Sequence, residues 1–486
     1  MMHNIQAIVL AAGKSRRFGT GKTKLTEKIC GQELIVYQTK LFEELAIPTT
    51  LVVGYQQEYI KEVVTSAHTA TSPSFAEQKE QLGTGNALLC SQDEWKQDHI
   101  LVINGDIPLV TKEIIQQLYH KHLDADATVT LTMAHHNDPH HSYGRIIKTD
   151  HGISIVEAHE FTGDPYEHCC INAGIYIFSK QFLLASISQL SAERKNKEYY
   201  ITDLVKIASD EGYTVATITV PFDHVRGVNT LQELWACEQV KRSELIKYWM
   251  ERGVRFSAAQ NVHIDLTATI GSGSYIGCGA HLLGTTTIGT NCTINEFVSL
   301  ERCTLGDNVT VEPYSIVKDS TVGNNSSVGP FAYIREQTQL HDNVVIGNFV
   351  EVTRSSIGAH SKAKHLSYIG DSTIGSHVNI GAGTVTANFN GFHKQKTTIL
   401  DNAYIGTNTS LIAPITVGQG AWTAAGSVIT ESVPNDALAI ARTRQINKLE
   451  YAKKIRTKME NASEINDISF ISAIKVPDDN ENRNDT

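Results

Sequence analysis

The C-terminal half of the chain repeats an aliphatic residue followed by glycine, at intervals of about six residues or multiples of six, from Val262 to Val433. A six-residue aliphatic repeat is typical of a parallel β-helix, whose turns each consist of three short strands with the aliphatic side chains stacked inside. Because one turn cannot bury its aliphatic residues alone, we expect the array to be continuous. A β-sandwich with glycine turns is the alternative, but its strands should alternate more regularly and lie further apart in the sequence. The repeated pairs are Ile270-Gly271, Ile276-Gly277, Ile288-Gly289, Leu305-Gly306, Val322-Gly323, Val328-Gly329, Ile346-Gly347, Ile357-Gly358, Ile369-Gly370, Ile374-Gly375, Ile380-Gly381, Ile405-Gly406 and Val417-Gly418.

The N-terminal half alternates strand patterns with amphipathic helix patterns. Ile5–Ala12 is an apolar run of strand length, and it leads into the glycine- and arginine-rich segment Gly13–Gly19. Alternating strands and helices predict a mostly parallel sheet whose ligands lie at the carboxyl ends of the strands, where Gly13–Gly19 and Asp106 fall. The segment lacks the spacing of a P-loop or a dinucleotide fingerprint. Further strand patterns occur at Thr50–Gly54 and His99–Asn104, and helix patterns at Val36–Leu45 and Lys112–His122.

Apolar residues spaced by three and four predict one long helix over Thr230–Gly253. This helix would link the two halves, with a partner-binding surface as the alternative interpretation. Another helix pattern covers Gln445–Met459, and the polar, acidic segment Pro477–Thr486 predicts disorder. The predicted division is therefore an α/β domain over 1–229, a linker helix over 230–253, a β-helix over 254–448, and a C-terminal helix with a disordered acidic tail over 449–486.

Composition narrows the function classes. The 486 residues carry a net charge of −10, which does not favour nucleic-acid binding and requires a local basic site for any anionic substrate. The eight cysteines lack metal-site spacing and are expected to be reduced thiols of the cytoplasm. The N-terminus lacks a signal-peptide pattern, and the sequence has no apolar run long enough to span a membrane.

A series of short motifs carries the functional signal of the N-terminal half. The motifs are Leu10–Gly13 with Arg17 and Lys24, then Glu80–Gly85, Asn104–Leu109, Tyr143–Ile146, Ile155–Glu157, Ile171–Gly174, Glu198–Asp203 and Gly227–Asn229. In type and order they resemble the motifs of sugar-1-phosphate nucleotidyltransferases. Followed by the hexapeptide repeats, they make the chain resemble the bifunctional N-acetylglucosamine-1-phosphate uridyltransferase/glucosamine-1-phosphate acetyltransferase family from about Ile5 to Lys448.

The resemblance implies a fold and a reaction. The fold is a Rossmann-like α/β nucleotidyltransferase domain with a mostly parallel sheet, joined by a long helix to a left-handed parallel β-helix of hexapeptide repeats. In the implied reaction, an oxygen of N-acetylglucosamine-1-phosphate attacks the α-phosphate of UTP and pyrophosphate leaves. Arg17 and Lys24 would contact the triphosphate as catalytic residues, and Asp106 and Asn229 would ligate Mg²⁺, a hard cation that suits oxygen ligands. The implied nucleotide and sugar contacts are Leu10, Ala11, Ala12, Gly13, Lys24, Gln78, Gly83, Thr84, Gly144, Glu157, Asn172 and Asn229.

The same resemblance implies acetyl transfer from acetyl-CoA to glucosamine-1-phosphate, between neighbouring subunits of a homotrimer. His365 would be the base that takes a proton from the attacking amine, a role that suits a histidine pKa near working pH. Asn388–Gln395 interrupts the six-residue rhythm and predicts a loop that leaves the coil. The implied sugar-phosphate contacts are Arg335, Tyr368, Asn379, Asn388 and Lys394, and the implied acetyl-CoA contacts are Asn388, Phe389, Thr407, Ala425 and Arg442. The implied product, UDP-N-acetylglucosamine, serves peptidoglycan and lipopolysaccharide synthesis.

Several positions depart from the family pattern. Lys24 follows Thr23 rather than proline, and Thr353 stands where the family has a lysine that helps to hold the sugar phosphate. Arg354 is adjacent, but on a β-strand its side chain would point to the opposite face. Phe389 lacks the hydroxyl of the usual tyrosine, and Thr407 replaces a serine. Three alternatives therefore stay open: a single-function nucleotidyltransferase with a scaffolding β-helix, the same chemistry on another amino-sugar phosphate or nucleoside triphosphate, and a protein that only binds nucleotide sugar.

Overall fold

The computed structural model describes residues 2–15, 18, 21, 23–68, 72–149, 152–166, 169–191 and 198–462. The N-terminal region is a mixed sheet flanked by helices. Apolar runs without alternation form its central strands, because these strands are covered on both faces. The strands are β1 (Ile5–Ala11), β2 (Lys28–Ile29), β3 (Gln32–Glu33), β4 (Thr49–Val53), β5 (Ser74–Glu77), β6 (His99–Asn104), β7 (Val129–His135), β8 (Arg145–Thr149), β9 (Gly152–Val156), β10 (Cys170–Ser179) and β11 (Val215–Thr219).

The strand order of this sheet is β11-β7-β10-β6-β1-β4-β5, and β8 pairs with β10 and β9. The half that carries the predicted nucleotide loop is parallel, since β1 pairs parallel to β4 and β6. Strand β10 runs antiparallel to β6 and β7, so the sheet that the sequence predicts as mostly parallel is mixed. The helices are α1 (Leu34–Glu44), α2 (Gln57–Ala67), α3 (Thr84–Leu89), α4 (Lys112–Asp124), α5 (Lys180–Ser186), α6 (Thr202–Asp210), α7 (Phe222–Val225) and α8 (Leu231–Met250).

Helix α8 joins the two regions as one long helix, which confirms the helix predicted over this segment. Its first half packs on the α/β region, where Cys237 is buried with Phe18 and Leu34. Its second half packs on the first turns of the C-terminal β-helix, referred to below as the coil. Ile246 of α8 belongs to the hydrophobic core of this coil. A direct contact adds to this joint, since the Leu266 N–H donates to the Cys30 carbonyl at 2.8 Å.

The C-terminal region is a parallel β-helix of three faces, consistent with the left-handed coil of hexapeptide repeats that the sequence predicts. Partners on successive turns are usually 17 or 18 residues apart, so three short strands complete one turn. The first face contains Arg255–Phe256, Tyr275–Ile276, Thr293–Ile294, Thr310–Val311, Ser327–Val328, Val345–Asn348, Lys362–His365, Asn379–Ile380, Tyr404–Ile405, Trp422–Thr423 and Leu438–Ala439. The second contains His263–Ile264, His281–Leu283, Ser299–Glu301, Ile316–Lys318, Tyr333–Arg335, Glu351–Thr353, Tyr368–Gly370, Val385–Ala387, Ser410–Ile412 and Val428–Ile429. The third contains Thr269–Ile270, Thr287–Ile288, Thr304–Leu305, Thr321–Val322, Gln339–Leu340, Ser356–Ile357, Ser372–Ile374, Thr397–Ile399 and Ile415–Val417.

The three corners of the coil differ in their side chains. At each corner, residues with a left-handed backbone recur at equivalent positions of successive turns. The corner between the first and second faces stacks Phe297, Tyr314, Phe331 and Phe349, with ring centroids 5.1–5.4 Å apart. The corner between the second and third faces carries charged residues, and the corner between the third and first faces carries asparagines and histidines. The charged residues are Arg302, Asp319, Glu336, Arg354 and Asp371, and the others are Asn291, Asn308, Asn325, Asn343, His360, His377 and Asn402.

A last helix, α9, spans Tyr451–Ala462 and therefore starts six residues later than the predicted Gln445. The predicted disordered tail lies outside the described residues. All eight cysteines are free. In the described part of the chain, no helix combines the length and the apolar character needed to cross a membrane.

Candidate active sites

A cleft of about 430 Å³ opens at the carboxyl ends of β1 and β6 in the α/β region. It gathers many residues that the motifs indicate for the nucleotide. These predicted residues are Leu10, Ala11, Ala12, Gly13, Lys24, Gln78, Gly83, Thr84, Asp106 and Asn229. Arg17 lies outside the described residues.

Three side chains converge at the floor of this cleft. Lys24 Nζ donates to Asp106 Oδ2 at 2.6 Å and to Asn229 Oδ1 at 2.8 Å. Both ionic side chains are largely buried, with 14% and 17% of Lys24 and Asp106 exposed. Two oxygens from distant parts of the chain therefore converge on one fixed positive charge. The ammonium suits a triphosphate, and the carboxylate and amide oxygens are ligands that suit a hard cation.

The chain fixes each member of this group separately. The Thr23 hydroxyl accepts from the Leu25 N–H at the start of a short 3₁₀ helix, Lys24–Thr26. The Thr23 N–H donates to Gln56 Oε1 at 2.8 Å, a bond that a proline at this position could not make. The departure from the family proline thus lets the residue before Lys24 bond to Gln56, the residue directly before α2.

Asp106 and Asn229 are held by the turn after β6 and by the start of α8. The buried Gln38 amide donates to the Asn104 and Ile107 carbonyls at 2.7 and 2.8 Å, which clamps the turn that carries Asp106. Glu233 accepts from the Asn229 N–H at 2.7 Å, so the first turn of α8 positions Asn229. Sequence reasoning missed Gln38, because a single glutamine on a helix gives no signal of a contact with a distant turn.

The rim of the cleft is a loop fastened to a second segment. Gln78 donates to the Gly83 carbonyl at 3.1 Å. The Gly85 N–H donates to the Tyr199 carbonyl at 2.8 Å, and the Tyr199 N–H donates to the Leu82 carbonyl at the same distance. The cleft residues that the site prediction omitted are Lys14, Ser15, Leu25, Gln81, Ala87, Asn104, Glu198 and Tyr200. Gln81, Asn104, Glu198 and Tyr200 could have been found, since they belong to motifs that already indicated the site.

The predicted sugar contacts Gly144, Glu157 and Asn172 lie beside one another, directly before β8, directly after β9 and on β10. They are outside the residues that line the cleft. The Asn172 N–H donates to the Gly144 carbonyl at 2.8 Å. Thr202 Oγ1 donates to Glu157 Oε1 at 3.0 Å, which joins this group to the start of α6. The group therefore forms a patch of its own next to the antiparallel strand β10.

A second constellation lies on the coil. His365 is exposed, and its Nδ1 lies 2.9 Å from Asn348 Oδ1 on the preceding turn. His365, Thr407 and Ala425 each come directly before a corner residue with a left-handed backbone, respectively Leu366, Asn408 and Gly426. They therefore lie along one edge of the coil. Arg442 approaches the same edge, 3.9 Å from where a Cβ on Gly426 would lie.

Except for Asn379, the predicted sugar-phosphate residues lie on or beside the second face. Asn388 Nδ2 donates to Tyr368 Oη at 3.4 Å and to Asp371 Oδ2 at 2.5 Å. The predicted loop is present as an excursion in which Phe389 and Lys394 form an isolated antiparallel bridge. The Arg354 guanidinium, with Asn388 and Lys394, holds the pKa of Asp371 below its usual range. Asn379 lies on the first face, paired with Lys362 and Tyr404.

The expectation for Arg354 was wrong. The strand ends at Thr353, and Arg354 occupies the corner with a φ of 47°, so strand alternation does not apply. Its Nη1 donates to Thr353 Oγ1 at 3.1 Å and therefore lies over Thr353 instead of on the opposite face.

Comparison with known proteins agrees with this two-part architecture. A MobA-like NTP transferase domain matches residues 7–201, and a GMPPB C-terminal domain matches residues 258–362. The bifunctional protein GlmU of Geobacillus thermodenitrificans is 36% identical over 94% of this chain and 99% of its own length. The proteins of the same name from Clostridium botulinum and Exiguobacterium sibiricum are each 38% identical, over 91% and 92% of this chain and 96% and 99% of their own lengths.

The chain belongs to the bifunctional GlmU family. Membership confirms the family that the motifs indicated, the two-part fold and the assignment as a bifunctional transferase with uridyltransferase and acetyltransferase functions.

Proposed function

We propose that this chain makes UDP-N-acetylglucosamine at two separate sites, with acetyl-CoA, glucosamine-1-phosphate, UTP and N-acetylglucosamine-1-phosphate as substrates. Acetyl transfer takes place on the coil edge, and uridyl transfer takes place in the cleft. The observation that carries the proposal is the convergence of Lys24, Asp106 and Asn229 at the floor of the cleft. We also propose four segments: the nucleotidyltransferase domain over 1–229, the linker helix over 230–253, the acetyltransferase β-helix over 254–448 and the C-terminal segment over 449–486.

The donor set at the floor of the cleft fits Mg²⁺. A carboxylate oxygen and an amide oxygen both lie within 2.8 Å of the Lys24 ammonium, so they come close enough to each other to share one cation. Mg²⁺ takes few protein oxygens and keeps water and substrate phosphates. Asp106 and Asn229 would hold the ion, and it would supply positive charge against the triphosphate. Among the described residues, no cluster of three or more His, Cys, Asp or Glu side chains competes as a metal site.

In uridyl transfer, the residues of the cleft bind and orient. Lys24 places a positive charge against the triphosphate, and Arg17 is proposed to do the same. The carbonyl of Gly83 is held by Gln78, so the loop presents a fixed backbone edge to the uracil. Gly144, Glu157 and Asn172 are proposed to hold the sugar. Catalysis then comes from positioning and from neutralised charge, since the protein forms no covalent bond to the substrate.

In acetyl transfer, His365 is proposed as the general base. An amide oxygen only accepts hydrogen bonds, so Asn348 Oδ1 holds the proton on Nδ1 and leaves Nε2 basic. The amine of glucosamine-1-phosphate attacks the thioester carbonyl of acetyl-CoA, the C–N bond forms, and Nε2 takes the proton of the amine. The C–S bond then breaks, coenzyme A leaves as the thiolate, and the proton passes from Nε2 to its sulfur to give the thiol. Thr407, Ala425 and Arg442 are proposed to bind acetyl-CoA along the same edge, with Asn388 and Phe389.

A homotrimer is part of the proposal, and the aromatic corner supports it. Phe297, Tyr314, Phe331 and Phe349 are each about half exposed although they stack on one another. Leu366 continues this ridge to the turn of His365 and is 64% exposed. A contiguous apolar ridge leading to a candidate site suits another copy of the coil as its cover. We expect Phe331→Asp to lower the mass in light scattering and to impair acetyl transfer more than uridyl transfer.

A cytoplasmic location also belongs to the proposal, because the co-substrates are cytoplasmic metabolites and the cysteines are free thiols.

The test measures both reactions in one preparation. Thiol release from acetyl-CoA reports acetyl transfer, and pyrophosphate release from UTP reports uridyl transfer. His365→Ala should abolish thiol release and leave pyrophosphate release intact, and Lys24→Ala should do the reverse. Wild-type protein that releases pyrophosphate but never thiol would make the coil a scaffold. Wild-type protein that turns over neither substrate would contradict the proposal as a whole.

A further inference from the structure

The corner beside Thr353 holds two arginines that share one carboxylate. Arg335 Nη1 donates to Glu336 Oε1, and Arg354 Nη1 donates to Glu336 Oε2. The two arginines belong to successive turns, because Arg335 pairs with Thr353 in the sheet and Arg354 follows Thr353. The carboxylate of Glu336 therefore lies between two guanidinium groups.

Exposure distinguishes the members of this clamp. Glu336 is the most exposed, with 47% of its side chain accessible, whereas Arg335 and Arg354 are 24% and 26% accessible. Beneath them, Thr353 is fully buried and offers only a hydroxyl, which donates to Glu336 Oε2 at 3.2 Å. The two cations are thus fixed, and the anion between them lies at the surface, where another anion can replace it.

Further carboxylates hold the guanidinium groups in place. Asp371 accepts from Arg354 Nε and Nη2 at 2.7 and 3.0 Å, a two-point contact that fixes the plane of the guanidinium. Glu351 accepts from Arg335 Nε and Nη2 at 3.1 and 2.7 Å. In both residues Nη1, the nitrogen outside these two-point contacts, points to Glu336.

The same network reaches the proposed sugar site. Asp371 also accepts from Asn388, which contacts the Tyr368 hydroxyl. Arg354 is therefore connected to Arg335 on one side and to Asn388 and Tyr368 on the other. In a chain with a net charge of −10, a sugar phosphate needs such local cations.

We infer that Arg335 and Arg354 form a two-arginine clamp for the phosphate of the amino-sugar substrate, and that Glu336 occupies the place of this phosphate until the substrate displaces it. This assignment rests on the proposed acetyl transfer and adds Arg354 as a binding residue and Glu336 as a competing internal anion. A phosphate dianion has the oxygens to accept from both Nη1 groups at once, so the exchange leaves neither guanidinium without a partner.

The coil supplies a matched control at another turn. Arg302 occupies the same corner and donates to Asp319 through Nε and Nη2 at 2.7 and 3.1 Å, while its Nη1 donates to Glu301. Arg302 thus makes the same kind of two-point contact, but none of the proposed acetyl-site residues are among its partners. Arg302→Gln removes an equivalent set of bonds without touching the proposed clamp.

The experiment measures kcat and KM for glucosamine-1-phosphate by thiol release in the full-length protein, with uridyl transfer as the internal standard. Arg354→Gln should raise KM by about tenfold or more, as expected for a charge-assisted contact, and leave the KM for acetyl-CoA and the uridyl reaction unchanged. Glu336→Gln should lower KM, because the competing carboxylate is gone. Arg302→Gln should leave every parameter at the wild-type value.

The Glu336 variant separates a clamp from a merely structural network. If Arg354 only stabilised the corner, loss of Glu336 would leave KM unchanged or raise it, and either result would overturn the inference. An Arg354→Gln protein that behaves like Arg302→Gln would overturn it as well. Should Arg354→Gln fold poorly, the Glu336→Gln result decides alone. A wild-type protein without thiol release would instead overturn acetyl transfer, and the inference with it.

Discussion

In the α/β region, the residues of the cleft come from strand ends and loops far apart in the sequence, and each is held by a contact found once in the molecule. Lys24 meets Asp106 and Asn229, which lie 82 and 205 residues further along the chain. On the coil, contacts recur with the turn. Arg302 contacts Asp319, and Arg354 contacts Asp371, each 17 residues ahead and with the same nitrogens.

This difference determines what a substitution can disturb. In the α/β region, a shift at one segment reaches the cleft through a single unique contact. In the coil, each turn depends mainly on its two neighbours, so the effect should stay local and be similar at equivalent positions. The predictions below test this contrast.

The largest expected effect comes from Gly83→Ala. Gly83 has a φ of 101°, and a Cβ there would lie 2.4 Å from the Tyr199 carbonyl oxygen. The alanine would push away the segment that carries Glu198 and Tyr200, both of which line the cleft. Because small displacements of positioning groups are costly, we expect uridyl transfer to fall by about 10²-fold or more, measured by pyrophosphate release.

Gly212→Ala is the control for a positive φ without a contact. Gly212 has a φ of 77°, and a Cβ there would meet nothing within 4 Å. We expect this variant to keep normal uridyl transfer, and both variants to keep acetyl transfer. Equal losses in the two variants would show that backbone strain, and not the contact with Tyr199, governs the loop.

The predictability of the two regions follows from the same contrast. The repeat alone predicts the coil, since every aliphatic position faces the same interior. The alternation of strands and helices predicted which edge of the sheet carries the cleft, and the motifs named most of the residues that line it. The contacts that build it, such as Gln38 on the turn of Asp106, depend on residues that are unremarkable in the sequence. Strand β10 shows the limit of predicting the fold from the sequence. An apolar run of strand length does not reveal whether the strand pairs parallel or antiparallel, and β10 pairs antiparallel.

Arg354 shows the limit of sequence-based prediction in the coil. Strand alternation predicts the wrong face for its side chain, because the strand ends at Thr353 and Arg354 lies in the turn that follows. The corner position of Arg354 is recognisable only when the sequence is aligned turn by turn, so that Arg302, Asp319 and Asp371 fall at the same place. The bond of Arg354 to Glu336 joins it to the preceding turn. Periodicity therefore predicts the position of a residue in the coil better than it predicts the partners of that residue.

A smaller effect is expected from His122 in the α/β region. His122 is buried between His99 and Thr130, with its ring nitrogens 3.1 and 2.8 Å from their side chains. Burial, and next the charge of His99, lower the pKa of His122 to about 4. The unfolded state binds the proton at a higher pH than the folded state does. The contribution of His122 to the free energy of unfolding is therefore complete above about pH 6.5, and it falls by about 3 kcal/mol in total as the pH drops toward 4.

Thermal unfolding between pH 7 and pH 4.5 checks this expectation. His122→Gln keeps hydrogen-bonding groups but removes the titration, so the fall in Tm with acid should become shallower. His120→Gln, on the exposed face of the same helix, is the control and should follow the wild type. A His122→Gln curve parallel to the wild type would place the acid sensitivity elsewhere in the molecule.

The smallest effect tests the equivalence of turns. Ile357 and Ile374 are buried in the third face, each 2% exposed, and each stacks between aliphatic neighbours on the turns before and after. Valine at either position removes one methylene from the same kind of environment. We expect each substitution to lower the free energy of unfolding by about 1 kcal/mol, and the two values to agree within experimental error.

The matched pair in the α/β region is Ile103→Val and Ile177→Val. Both side chains are fully buried, but Ile103 lies on β6 between β1 and β10, whereas Ile177 lies on β10 between β6 and β7. Their surroundings differ, so their costs should differ more than those of the coil pair. Urea unfolding followed by circular dichroism measures all four. A coil pair that differs as much as the α/β pair would mean that the ends of the coil, and not only the neighbouring turns, determine the stability of each position.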